Sequence, residues 1–532
     1  MRGRRWLLAT AFSATLTVGG VLAVGQSMAA VTTPVSGAAD GHAVPAIAWN
    51  DCSTVADPGE RASLQAAGAQ CGQMAVPLDY THPNGRRITL TLSRVRAGDP
   101  AHRRGVLMLN PGGPGDAALG LPAALKEGAP DLAARYDLIG MDPRFVGASS
   151  PVTCRWPTDF ELRSAGPDRQ TFGQSVSFAR DLAAGCAGGN ADLLPFASTR
   201  NTARDMDLVR AALGEPRVSY VGWSYGSYLG AVYTQMFPQR ADRFVLDSAV
   251  DPDVYAAGLF PSMGPATEAA LRNWAGWAAA RDATYHLGTT VPRVLATVDG
   301  IYRAAERAPL RVGSFQVDSH VLPVLLFIPI RIDTDDSYAA IAGDIVALKT
   351  AAGGTPVAPT DDLAAYLALI QHPASDTTAG ASSVIFCADQ VVSHDPETYY
   401  RDIQAHRSEE PHFGALSRNV TPCTFWPITP VERPTRISNN VPVLMVGATG
   451  DPRTTYQGQL NLHRELAGSR LVTLTGAFEH IVYGAEDNAC ITDTVGAYLL
   501  DGTLPATDVT CHRAGSASTA RHGAPMGAAL RN

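Results

Sequence analysis

Tyr220-Val221-Gly222-Trp223-Ser224-Tyr225-Gly226 is the stretch on which the reading of this chain turns. An apolar run, Val218 to Val221, enters a Gly-x-Ser-x-Gly pattern, and a helix-like stretch, Tyr228 to Phe237, leaves it. Strand, sharp turn and helix in that order put a serine at the apex of the turn with its hydroxyl outward. So tight a turn leaves no room for side chains two positions either side of the serine, and both positions are glycine. Alone, the pattern is as often incidental as catalytic, so its partners decide.

A serine hydroxyl is a weak nucleophile until a base takes its proton, and the base must be oriented by an acid. Around such an elbow the acid follows a late strand and the histidine follows the last one. Val441 to Val446 leads through Gly447-Ala448-Thr449-Gly450 into Asp451-Pro452. Leu471 to Leu474 leads through Thr475-Gly476-Ala477-Phe478-Glu479 into His480. Among 13 histidines, position after the final strand selects His480, whereas His463 falls in a helix-like stretch. Asp451 is the preferred acid because Gly450-Asp451-Pro452 makes a tight post-strand turn between Ser224 and His480. Asp247, also behind a strand, is the alternative. Glu479 would point away from its neighbour on an extended backbone and reads as structural. Asn110-Pro111-Gly112-Gly113-Pro114-Gly115 follows an early strand, where glycines let backbone amides approach a developing negative charge. The amides of Gly113 and Tyr225 are the expected oxyanion donors, each contributing about 2.7–4 kcal/mol to the transition state.

A chain of 532 residues with 45% apolar and 17% charged residues has an ordinary globular composition and is too long for one simple core. Its net charge of -8 argues against nucleic acid as a partner. Only Lys126 and Lys349 are lysines, and no basic cluster occurs beyond the N-terminus. There, Arg2, Arg4 and Arg5 precede an apolar stretch, Trp6 to Val24, and the small residues of Ser27-Met28-Ala29-Ala30. This reads as a cleaved secretory leader, by the general or the twin-arginine route, in preference to a membrane anchor, because Thr, Ser and Gly dilute it. No stable membrane association is expected after cleavage. Eight cysteines in an exported chain point to disulfides. No CxxC or zinc-like Cys/His spacing occurs, so no metal or other cofactor is expected. Order along the chain suggests four local pairs, Cys52–Cys71, Cys154–Cys186, Cys387–Cys423 and Cys490–Cys511, although order alone does not settle connectivity.

Strand-like runs at Ile88 to Val95, Val106 to Asn110, Leu138 to Met141, Val218 to Val221 and Phe244 to Leu246 alternate with helical patterns such as Thr202 to Leu213. That alternation predicts an α/β protein with a mostly parallel sheet flanked by helices. It pauses after Asp247 for Ala-rich helical text and resumes at Val441. The expected organisation is a leader over 1–30, a flexible lead over 31–47 and a first core part over 48–252. A mainly helical cap insertion over 253–439, a second core part over 440–512 and a disordered tail over 513–532 follow.

Asn110 to Gly115, Asp142-Pro143-Arg144, Gly222-Trp223-Ser224-Tyr225-Gly226-Ser227-Tyr228, Asp451-Pro452 and the Cys490/Cys511 ending together resemble the secreted bacterial tripeptidyl aminopeptidases, α/β-hydrolases related to prolyl iminopeptidases. The resemblance runs from about Cys52 to Cys511. It implies an α/β-hydrolase fold with a cap, a Ser224–Asp451–His480 triad and release of tripeptides from free N-termini, and it supports the four local disulfides. Two positions depart from the family pattern: Phe145 follows Arg144 where glycine is usual, and Phe478-Glu479-His480-Ile481 replaces a Gly-rich turn. Both are expected to reshape the floor or mouth of the pocket.

The expected protein is a secreted, monomeric serine exopeptidase acting on peptides. An esterase or lactonase acting on a small acyl substrate is the second reading, because ester and amide hydrolysis share a tetrahedral intermediate. A non-catalytic binding protein on the same scaffold is the third. An enzyme that requires a free N-terminus must hold an ammonium in a water-poor pocket, which needs a carboxylate. The cap is expected to supply it. Asp389, beside Cys387 and apolar neighbours, is the candidate, with Asp335, Asp336 and Glu410 as alternatives.

Overall fold

The runs Gly105–Asn110, Tyr136–Met141, Val218–Trp223 and Val443–Ala448 are buried along their whole length. Such burial belongs to parallel strands covered on both faces. The computed structural model describes residues 44–372 and 380–513, so the expected leader, most of the flexible lead and the tail beyond Arg513 lie outside it. In chain order the strands among the described residues are β1 (Ala48–Asp51), β2 (Gln70–Pro77), β3 (Arg87–Val95), β4 (Gly105–Asn110), β5 (Tyr136–Met141), β6 (Val218–Trp223) and β7 (Ala241–Asp247). The remainder are β8 (Leu310–Val312), β9 (Phe315–Val317), β10 (Val443–Ala448), β11 (Arg470–Thr475) and β12 (Val509–His512).

Ten strands form one sheet in the order β1-β2-β3-β5-β4-β6-β7-β10-β11-β12, while β8 and β9 pair separately. Pairing is antiparallel from β1 to β5 and parallel from there to β12. Alternate side chains of each central strand enter opposite cores: Val106 and Met108 of β4 join one, Leu107 and Leu109 the other. The chain passes from β4 to β5 on one side and returns to β6 on the other. A crevice opens beyond the carboxyl ends of strands where the order reverses in this way.

Between β7 and β10 the chain is mainly helical, with helices Leu259–Ala279, Val291–Arg307, Asp335–Ala352, Asp361–Gln371, Ala381–Asp389 and Pro396–His406. Val291–Arg307 shows why: Val294, Val298, Ile301 and Ala305 recur at helical spacing and are buried, while the opposite face is polar. Thr334 and Thr360 cap the next two helices through side-chain oxygens that accept amides of the first turn.

The connection after β5 also belongs with these helices. Backbone amides of Asp159, Ser164 and Ala165 donate to Leu369, His320 and Ala415, and Phe172 and Ala179 pack with Ile403 and Val420. No local signal in residues 150–190 announces those long-range bonds, so the sequence reading assigned the segment to the core alone. Arg513, read as the start of the tail, ion-pairs with Asp333 and Glu486.

Phe145 adopts φ 70°, a left-handed conformation that suits glycine and costs another residue about 1–2 kcal/mol. Its amide bonds the Ser149 carbonyl at 2.8 Å and its ring is buried in the larger core. It therefore does not line the pocket whose floor it was expected to reshape. Arg144 beside it is wholly buried, held by Asp205 through two 2.7 Å bonds.

The joined cysteines are Cys52–Cys71, Cys154–Cys186, Cys387–Cys423 and Cys490–Cys511. Removing Cys387–Cys423, which spans 36 residues, by a double alanine substitution is expected to lower stability by about 2–4 kcal/mol. Denaturant unfolding of the purified protein checks this, and non-reducing peptide mapping checks the connectivity. No helix among the described residues is long and apolar enough to cross a membrane.

Candidate active site

Ser224 stands where β6 ends and helix Tyr225–Met236 begins, with φ 54° and ψ −123°. A non-glycine residue held in so sparsely populated a region stores about 1–3 kcal/mol. Close packing enforces it: a Cβ added at Gly222 would lie 2.4 Å from the Gly226 carbonyl oxygen, and one at Gly226 would lie 2.6 Å from that of Asn110. The Ser224 amide donates to the Asp247 carbonyl at 3.0 Å. The hydroxyl is thereby presented at the first turn of a helix, whose free amides and dipole favour negative charge.

Asp451 follows β10 and His480 follows β11, and the two meet. Nδ1–H of His480 donates to the Asp451 carboxylate at 3.0 Å from both oxygens. The pair is buried, with side-chain exposures of 6% for His480 and 0% for Asp451. Asp451 is itself held: Oδ1 accepts the amides of Arg453 at 2.8 Å and Thr454 at 3.0 Å, and Oδ2 accepts the Thr454 hydroxyl at 2.8 Å and the Gln459 amide at 3.3 Å. This engagement fixes the imidazole tautomer and leaves Nε2 to accept a proton.

Asp247 lies beneath the site. Its carboxylate accepts the amides of Val482 and Tyr483, and the Ser248 hydroxyl donates to it while accepting the Ile481 amide. Burial pushes the Asp247 carboxyl up to about 7, against the opposing pull of those amide bonds. Ile481 adopts φ 74°, so Asp247 and Ser248 hold a strained turn directly after His480. Asp247 is thus tied to that turn, and Asp451 to the imidazole.

The loop after β4 packs onto the elbow. A Cβ at Gly112 would come within 2.6 Å of the Trp223 carbonyl oxygen and 3.3 Å of the Tyr225 nitrogen. Gly113, Ser224, Tyr225 and His480 all line one cleft of about 520 Å³. An oxyanion formed on Ser224 would lie between this loop and the helix start. Neither Phe478 nor Glu479 lines the cleft; Glu479 instead accepts the Asp333 amide at 3.0 Å.

Asp389 is not brought to the cleft. Its carboxylate accepts the Thr199 amide at 2.7 Å, the Thr199 hydroxyl at 2.5 Å and the Tyr255 hydroxyl at 2.9 Å. It is buried among them, tying the inserted helices to the helix that precedes β6. Thr199 in turn bonds the Tyr225 hydroxyl at 2.7 Å. The alternatives are placed no better: Glu410 pairs with Arg418, Asp335 sits exposed beside Arg281, and Asp336 is exposed at a helix start. The carboxylates that do line the cleft are Asp116, Asp159 and Glu161, none of which the sequence reading named. Thr454 was also missed, although Asp451-Pro452-Arg453-Thr454 carries a usable signal, because a Thr three residues after an Asp can bond its carboxylate.

The matching family models are described as "TAP-like protein", over residues 411–511, and "alpha/beta hydrolase fold", over residues 105–325. A tripeptidyl aminopeptidase of Streptomyces lividans is 36% identical over 469 residues, 83% of each chain. The serine protease Hip1 of Mycobacterium tuberculosis is 31% identical over 84% of this chain and 87% of its own. A carboxylesterase B of the same organism is 30% identical over 96% of this chain and 98% of its own.

Proposed function

Because the chain belongs to the tripeptidyl aminopeptidase family of α/β-hydrolases, we propose that it is a serine exopeptidase releasing tripeptides from the free N-termini of peptides. The observation that carries this reading is the 36% identity to a tripeptidyl aminopeptidase over 83% of each chain. His480, buried against Asp451 and lining one cleft with a serine on a strained elbow, supports the serine chemistry. Ser224 Oγ attacks the scissile carbonyl while His480 Nε2 takes its proton. The amides of Gly113 and Tyr225 hold the oxyanion, His480 returns the proton to the leaving amine, and water then releases the tripeptide from the acyl-enzyme. Asp451 stabilises the imidazolium formed in each half. The leader-like N-terminal sequence and the four disulfides support action outside the cytoplasm.

The full-length match to a carboxylesterase B supports a second reading, an esterase acting on small acyl substrates. Assays of tripeptidyl- and aminoacyl-4-nitroanilides beside 4-nitrophenyl esters separate the two. The exopeptidase is expected to show kcat/KM at least about tenfold higher on the tripeptidyl anilide than on the aminoacyl anilide, the size of one well-made substrate contact. Ester turnover without anilide turnover would establish the second reading. Resistance to a serine-directed phosphonate would remove both.

A further inference from the structure

Two cavities meet at one carboxylate. The cleft of about 520 Å³ holds Ser224 and His480. A second cavity of about 630 Å³ contains neither and is lined by Val392, Tyr399, Arg418 and Asn419. Glu161, Phe260 and Phe386 line both. Glu161 lies in the connection after β5, the segment whose backbone is bonded to the inserted helices at Asp159 and Ala165.

The Glu161 carboxylate is braced by hydroxyls. Ser382 donates to Oε1 at 3.1 Å and Ser383 donates to Oε2. Among the described residues no Arg, Lys or His forms an ion pair with it. Desolvation pushes its pKa above the ordinary carboxylate value, against those hydroxyl bonds. A carboxylate held so, at the edge of a substrate cleft, is completed by a cation with hydrogen-bond donors. Asp116 and Asp159 are the competitors, but Asp159 already has a partner, and the Asp116 Cγ lies 3.2 Å from where a Gly113 Cβ would stand, beside the oxyanion loop, with the Arg331 charge acting on it. An ammonium bound there would sit next to the reacting carbonyl, which suits release of a single residue. Three extended residues need roughly 10 Å, and Glu161 stands one residue removed from that loop, with Ser382 between it and Gly115.

We propose that Glu161 is the specificity-determining residue that binds the substrate's N-terminal ammonium and closes the passage into the second cavity, so setting the length of the released peptide. This rests on the exopeptidase reading above. A peptide blocked or extended at its N-terminus brings no ammonium to Glu161 and has to displace the carboxylate to continue. Beyond it, the second cavity has room for further residues. Glu161 thus attracts the correct terminus and repels the wrong one, two contributions that discriminate better together than either alone.

The test uses the full-length secreted protein and three 4-nitroanilides: a tripeptidyl with a free N-terminus, its N-acetyl counterpart and a pentapeptidyl. Glu161→Gln keeps the shape and the serine contacts while removing the charge. It is expected to raise KM for the free tripeptidyl substrate about 10- to 100-fold, as loss of a charge-assisted contact does, with kcat within about threefold. Turnover of the N-acetyl substrate should not fall. Glu161→Ala opens the passage and is expected also to raise kcat/KM on the pentapeptidyl substrate by at least about tenfold. Equal losses on free and acetylated substrates, or continued exclusion of the pentapeptidyl substrate by a folded Glu161→Ala, would overturn the proposal. Should Glu161→Ala fail to fold, the KM change in Glu161→Gln decides it. Failure of the exopeptidase reading is seen separately, in the unsubstituted enzyme, as equal turnover of free and acetylated tripeptides.

Discussion

Replacing Ser224 by alanine is expected to lower kcat on a tripeptidyl anilide by roughly a millionfold, His480→Ala by a similar factor, and the double variant by no more than either. In the proposed mechanism the nucleophile and the base act as one unit: without the imidazole the hydroxyl keeps its proton, and without the hydroxyl the imidazole has nothing to deprotonate. What survives is the contribution of the oxyanion loop and of substrate binding. Ser224→Ala leaves the elbow backbone in place, because the constraint comes from the contacts around Gly222 and Gly226. Its melting temperature should therefore stay close to that of the unsubstituted protein. Losses that multiplied in the double variant would show that the two residues do not work together.

Asp451→Asn is expected to lower kcat about 10⁴-fold with little loss of substrate binding, because the amide stabilises the wrong imidazole tautomer and cannot offset the imidazolium charge. Asp247→Asn is the informative comparison. Its side-chain nitrogen would face the amides of Val482 and Tyr483, which now donate to the carboxylate, so the expected loss is chiefly in stability. A pH signature separates the two roles. The unfolded chain ionises Asp247 near its ordinary value of 3.8 and the folded chain near about 7. The native state therefore binds the extra proton, and stability from this group falls as pH rises through that window. In Asp247→Asn that part of the slope should vanish from unfolding curves measured between pH 4 and 7. Near-normal activity of Asp451→Asn beside an inactive, folded Asp247→Asn would reverse the assignment of the acid.

Much of this molecule is legible in one dimension. β4, β5, β6 and β10 are covered on both faces, so all their positions but Asn110, Asp137 and Ser219 are apolar or glycine, and such runs stand out. β1, β8, β9 and β12 do not, since each is three or four residues long and partly exposed, with too few positions to show a period. The elbow, the glycine loop and the order Ser224, Asp451, His480 are readable for a related reason. Tight turns within a few residues of the strand ends demand glycine at Gly222, Gly226 and Gly112, whatever the rest of the chain does.

The carboxylates obey no such local rule. Asp389 has the composition of a binding residue, yet its partners Thr199 and Tyr255 lie 190 and 134 residues away and absorb it. Glu161 looks unremarkable in sequence and reaches the cleft from a segment bonded to Leu369 and Ala415. By itself the sequence determined the fold class and which residues stand at the strand ends, where the constraint is local. Only the tertiary structure decided which buried carboxylate is tied into the fold and which faces the cleft, because desolvation and pairing depend on segments far apart in the chain.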